Sequence, residues 1–75
     1  YMPTNGERAE RGREVLAMYA MRFGDPHDPR SNLVDVLTDL MHLAAREAEL
    51  GLEFDSSLKM AQFHFEAEAE ECLDT

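Results

Sequence analysis

Two apolar stripes at helical spacing lie on either side of Gly51-Leu52-Glu53-Phe54-Asp55, and they leave this chain few ways to fold. Before that junction, Leu33, Val36, Leu37, Leu40, Met41, Leu43, Ala44 and Ala48 recur every three or four residues for four turns. That is the period of an amphipathic helix and not of a strand. After it, Leu58, Ala61, Phe65, Ala69 and Cys72 trace a second stripe, with Met60, Phe63 and Ala67 beside it. Gly51 is the stop and Asp55 the cap of the next helix. So short a connection returns the second helix antiparallel to the first. Leu52 and Phe54 are then expected to plug the closed end.

The N-terminal part reads as a third helix. Thr4-Asn5-Gly6-Glu7 has the spacing of a capping box, with Thr4 as N-cap and Glu7 reaching back to it. Gly6 and Gly12 each weaken this helix by up to about 1 kcal/mol relative to Ala. Leu16, Tyr19, Ala20 and Phe23 form its apolar stripe, widened by Val15 and Met18. Gly24 is placed to end it in a left-handed turn. Asp25-Pro26-His27-Asp28-Pro29 cannot continue a regular helix, because proline lacks a donor and biases the residue before it towards extended backbone. The next helix starts either at Pro29 with Asp28 as cap, or after Ser31. His27 is expected to make a turn-stabilising hydrogen bond. The fold expected is all-α: a small three-helix bundle with a C-terminal antiparallel helical hairpin as its main core. It forms one domain over residues 1–75, with helices over about 5–23, 30–50 and 56–73.

Seventy-five residues make a marginal core, and chains of this size often rely on disulfides, metals or oligomerisation. Cys72 is the single cysteine, so no intrachain disulfide forms, and a lone thiol suits a reducing cytoplasm. Acids near Cys72 disfavour its thiolate, which makes it an apolar contact before a nucleophile. No apolar run approaches the roughly 18 residues of a membrane span, and no signal-peptide pattern is present. Met2 reads as the natural start, with Tyr1 an added residue. Charge is unevenly placed. Residues 1–32 balance five Arg against five acids, whereas residues 33–75 set Arg46 and Lys59 against eleven acids and carry the whole net charge of −9. Direct nucleic-acid binding is disfavoured by that sign, and a basic protein surface would be attracted.

Three features are candidates for function. Glu66, Glu68, Glu70, Glu71 and Asp74 crowd the C-terminal end of the last helix, where the dipole favours cations and each acid costs about 0.3–1 kcal/mol. This set is the expected partner-binding face, docking by charge on a basic protein. Against it stands the plain reading of a solvated, solubilising surface. Asp39 with His42 (i,i+3) and His64 with Glu68 (i,i+4) have the spacing of acid-histidine metal ligands on helices. They lie mostly off the apolar stripes, so no resident metal or cofactor is expected, and these four stay candidates only. No phosphate-binding glycine loop and no Ser/His/Asp arrangement has a recognisable context, which points away from an enzyme. Finally, five Met, four Phe and nine Leu exceed what the best stripes bury, with Met18, Met21, Val34 and Leu50 falling outside them. Such a surplus suits a partner surface or a homodimer.

The runs Leu37-Thr38-Asp39-Leu40-Met41-His42, Gly51-Leu52-Glu53-Phe54-Asp55 and Met60-Ala61-Gln62-Phe63-His64-Phe65-Glu66-Ala67-Glu68 resemble short uncharacterised helical proteins of bacterial phages, plasmids and integrative elements. The resemblance covers roughly half the chain, with residues 37–68 as its span. It implies a mobile-element setting, in which small acidic helical proteins often inhibit host nucleic-acid-binding defence proteins. The expectation is therefore a small acidic non-enzymatic interaction module. The alternatives are a structural or regulatory homo-oligomer and a small metal-binding helical protein.

Overall fold

A computed structural model describes residues 3–70. The described chain is three α-helices, α1 (Asn5–Arg22), α2 (Pro29–Arg46) and α3 (Phe54–Glu70), with a 3₁₀ turn at Ala48–Leu50 and no strand among the described residues. The all-α expectation is met.

Local chemistry sets the boundaries. At the start of α1 the Thr4 hydroxyl accepts from the Glu7 amide (3.1 Å), and the Glu7 carboxylate accepts from the Thr4 amide (2.8 Å). Two of the helix's otherwise unpaired donors are thereby satisfied. At the start of α2, Asp28 is the cap and Pro29 the first helical residue, and the Asp28 carboxylate accepts from both the Ser31 amide and hydroxyl. Proline fits there because its missing N–H would have had no helical partner.

Three boundaries differ from expectation. Gly24 is not left-handed; of the described glycines only Gly51 has a positive φ, at 67°. Gly24 is instead required by close approach. A Cβ at this position would collide with the Asn32 side chain and lie 3.3 Å from the Ala20 Cα. The helix expected to reach residue 50 stops at Arg46, and a 3₁₀ turn follows. Glu47 and Glu49 would be acids in the last helical turn, which the dipole opposes, whereas Arg46 suits that place. Lastly, α3 begins at Phe54, so Asp55 lies in its first turn and is not the cap. The first helical bond runs from the Ser57 amide to the Glu53 carbonyl, 2.9 Å. The end of the third helix expected near residue 73 lies outside the described residues.

The larger departure concerns the core. Among the described residues only Ala20 and Asn32 are buried. The α2 stripe expected inside is exposed at Leu33, Leu37, Leu40, Met41 and Leu43, and α3 has no buried residue. Leu52 is exposed and Phe54 half-buried, so the closed end is not plugged as expected. α2 lies against α1 and touches α3, but neither α2 nor α3 closes its stripe against the other. The radius of gyration is 14.1 Å, where a compact chain of this length has about 11 Å. The accessible surface is 6503 Å², against roughly 4,650 Å² for a compact monomer of this mass. The physical reason is geometric. A helix whose apolar stripe spans 100° or more needs neighbours on both flanks, and three helices spread over 36 × 32 × 20 Å cannot supply them.

Candidate functional site

Two of the concavities along α1 involve a second helix. The first is a cleft of about 700 Å³ between the first turns of α1 and the last turns of α3, lined by Asn5, Arg8, Ala9, Ala61, His64, Phe65, Glu68 and Ala69. The Arg8 Nε donates to Glu68 Oε1 at 2.9 Å, and the Asn5 Nδ2 donates to the Glu68 carbonyl at 3.3 Å. Residues sixty positions apart are joined here. The ion pair is partly exposed, so water weakens it and it orients more than it stabilises.

The acidic set expected at the end of α3 does not share one face. At 100° per residue, Glu68 lies on the far side of the helix from Glu66 and near-opposite to Glu70. Glu68 faces α1 and is engaged by Arg8 and Asn5. Glu66 is exposed and has no hydrogen-bond or ionic partner among the described residues. Glu70 has a partner. Glu71 and Asp74 lie outside the described residues, as does Cys72.

The acid-histidine pairs are likewise not assembled. Among the described residues no group of three or more His, Cys, Asp or Glu is placed to hold a metal ion. Asp39 is drawn to α1, where its Oδ2 accepts from the Tyr19 hydroxyl at 2.5 Å. That hydrogen bond, then burial, then the charges of Asp39 and Asp35 push the Tyr19 phenol up to about 12. His64 and Glu68 line the cleft, while His42 stays on exposed α2 surface. His27 contributes to the turn through its main chain, its amide donating to Asp25 Oδ1 at 2.9 Å.

The second concavity is a groove of about 480 Å³ running along α1 to the start of α2. Its walls are apolar, from Leu16, Ala17, Ala20, Met21, Pro26 and Pro29, with Arg13 at one end. Gly12 also lines it, and a Cβ there would meet nothing within 4 Å among the described residues. Asn32 fixes the far end. Only 2 % exposed, it accepts from the Asp25 amide (3.1 Å) and donates to the Asp25 carbonyl (2.7 Å). Asn32 belongs to none of the stripes or caps read from the sequence. The available signal was an amide side chain one turn into a helix and seven residues after an Asp-Pro turn, where unpaired main-chain groups need partners.

The exposed apolar side chains are the third element of the site. Met21 is 84 % exposed, Phe65 71 % and Phe63 65 %. Singly exposed apolar side chains are ordinary, and only a contiguous set marks a surface that another molecule covers. No family model matches the chain, and no curated protein or solved structure matches it. Among the described residues no helix is long and apolar enough to cross a membrane.

Proposed function

We propose that this chain is a non-enzymatic helical interaction module of the cytoplasm that works as a homo-oligomer, its excess apolar surface forming the contact between copies. One observation carries the reading: the surface exceeds that of a compact monomer by roughly 1,850 Å². Burial of that excess on two chains would remove roughly 3,700 Å², which lies within the range of obligate homodimers. Composition supports the same conclusion, since five Met and four Phe are many for a chain that buries so few side chains. A second copy is favoured over a foreign partner because the chain carries both signs of charge on separate elements. α1 holds four Arg against three Glu, and α3 holds Lys59 against four acids.

The charge-docking alternative asks the acids of α3 to act together on one basic surface. Glu68 turns to Arg8 and Asn5 on the side of the helix away from Glu66, which leaves that alternative with fewer groups than the sequence offered. Sedimentation velocity over a thousandfold dilution tests the homo-oligomer. A dimer or higher species that dissociates on dilution is expected, and a monomer at every concentration would overturn it.

A further inference from the structure

We propose that the groove along α1 receives the outward face of α3 from a second copy, so that each of two chains seats its α3 on the α1 of the other across a two-fold axis. The inference rests on the homo-oligomeric reading above and specifies its interface. Three observations place the occupant.

First, α3 has two faces. Ala61, Phe65 and Glu68 turn towards the start of α1 in the same chain. Phe63 and Glu66 lie on the opposite side by helical angle with Met60 on the flank, all exposed, and they present an apolar centre with an acid beside it. Second, the groove is complementary: apolar walls with the Arg13 guanidinium at one end. Among the described residues Arg13 is held by Glu10 in the same exposed turn, at 3.2 Å, an ion pair that exchanges readily for another. Third, Gly12 weakens α1, yet nothing among the described residues lies near enough to require it. A helix backbone seated in the groove would require it. Two-fold symmetry repeats the contact, so each chain both offers α3 and receives it. Phe63 would then occupy the groove near Leu16 and Met21, with Glu66 against Arg13.

The test compares dissociation constants by sedimentation for the full chain and its variants. Gly12→Leu fills the groove while raising the helix propensity of α1, and it is expected to weaken self-association at least tenfold. Gly12→Ala places a Cβ where the seated helix would lie and is expected to weaken association severalfold, less than Gly12→Leu. Arg13→Glu and Glu66→Arg are each expected to weaken association severalfold, and the double swap to restore it. If the parent chain associates and neither Gly12→Leu nor the charge swaps change its constant, the groove is not the interface, while the homo-oligomeric reading stands. If the parent chain stays monomeric, both fall. Should Gly12→Leu lose its helical circular dichroism, the charge-swap pair decides: failure of the double swap to recover association would overturn the proposal.

Discussion

The Asn32 carboxamide, from the first turns of α2, pairs with both main-chain groups of Asp25, accepting from its amide and donating to its carbonyl. One side chain thus satisfies two polar groups of a turn whose prolines remove other donors. Gly24 lets the amide come this close. Asn32→Ala leaves the Asp25 amide unpaired beside the α1–α2 contact, while the Asp25 carbonyl keeps the Asp28 amide as donor, and is expected to cost about 1–3 kcal/mol. Gly24→Ala drives a methyl into the Asn32 amide and is expected to destabilise as well. The two changes share one contact, so the double variant should lose less than the sum of the singles. Urea unfolding followed by far-ultraviolet circular dichroism, at one fixed protein concentration, measures all three.

The capping box on α1 makes a second, independent prediction. Thr4→Ala removes the acceptor for the Glu7 amide and should cost about 1 kcal/mol. Thr4→Ser keeps the hydroxyl and should cost much less. Amide hydrogen exchange localises the effect: protection should fall over the first turn of α1 and stay unchanged in α3.

The elements that could be read from the sequence are those fixed by near neighbours. Thr4 with Glu7 and Asp28 with Pro29 act within four residues, so their spacing carries the information, whereas α2 ends at Arg46, ahead of the Gly51 read as its stop. Asn32 was not legible in the same way, because its partners are main-chain atoms of Asp25 that any residue type would present. The apolar stripes were legible as stripes, but not as a closed core. Whether Leu37 or Phe65 is covered depends on how many layers pack together, and periodicity describes one helix at a time. The acids of α3 show the same limit. Helical angle alone separates Glu68 from Glu66, but the pairing of Glu68 with Arg8 arises only when the two ends of the chain meet.

Two titrations of opposite sign follow from the hydrogen bonds. The Tyr19 phenol is raised from 10.0 to about 12 in the fold, chiefly by donating to Asp39. Its stabilisation is fully present below pH 10 and is lost as pH rises through about 12. Ultraviolet absorbance should therefore show one tyrosine ionising late, and Asp39→Asn should return it towards the ordinary value. Asp28 is lowered from 3.8 by accepting first from the Ser31 hydroxyl and then from its amide. Its contribution is present above pH 3.8 and is lost as pH falls through the depressed value. Asp28→Asn keeps a capping acceptor but removes the titration, so the acid limb of the stability profile should flatten.

The contact between Glu68 and the start of α1 combines two bonds that respond differently to salt. Arg8 reaches the Glu68 carboxylate, whereas Asn5 reaches its main-chain carbonyl. Glu68→Gln removes only the charge, and the partly exposed ion pair should be worth about 0.2–1 kcal/mol. At about 1 M salt, where the screening length falls to roughly 3 Å, the parent and Glu68→Gln should converge in stability. Asn5→Ala removes the bond to the carbonyl, which carries no net charge, so its cost should persist at high salt. Parallel unfolding curves at low and high salt separate the two. Equal salt dependence for both variants would mean that charge does not hold the cleft closed and that the Arg8–Glu68 pair is incidental to the meeting of α1 and α3.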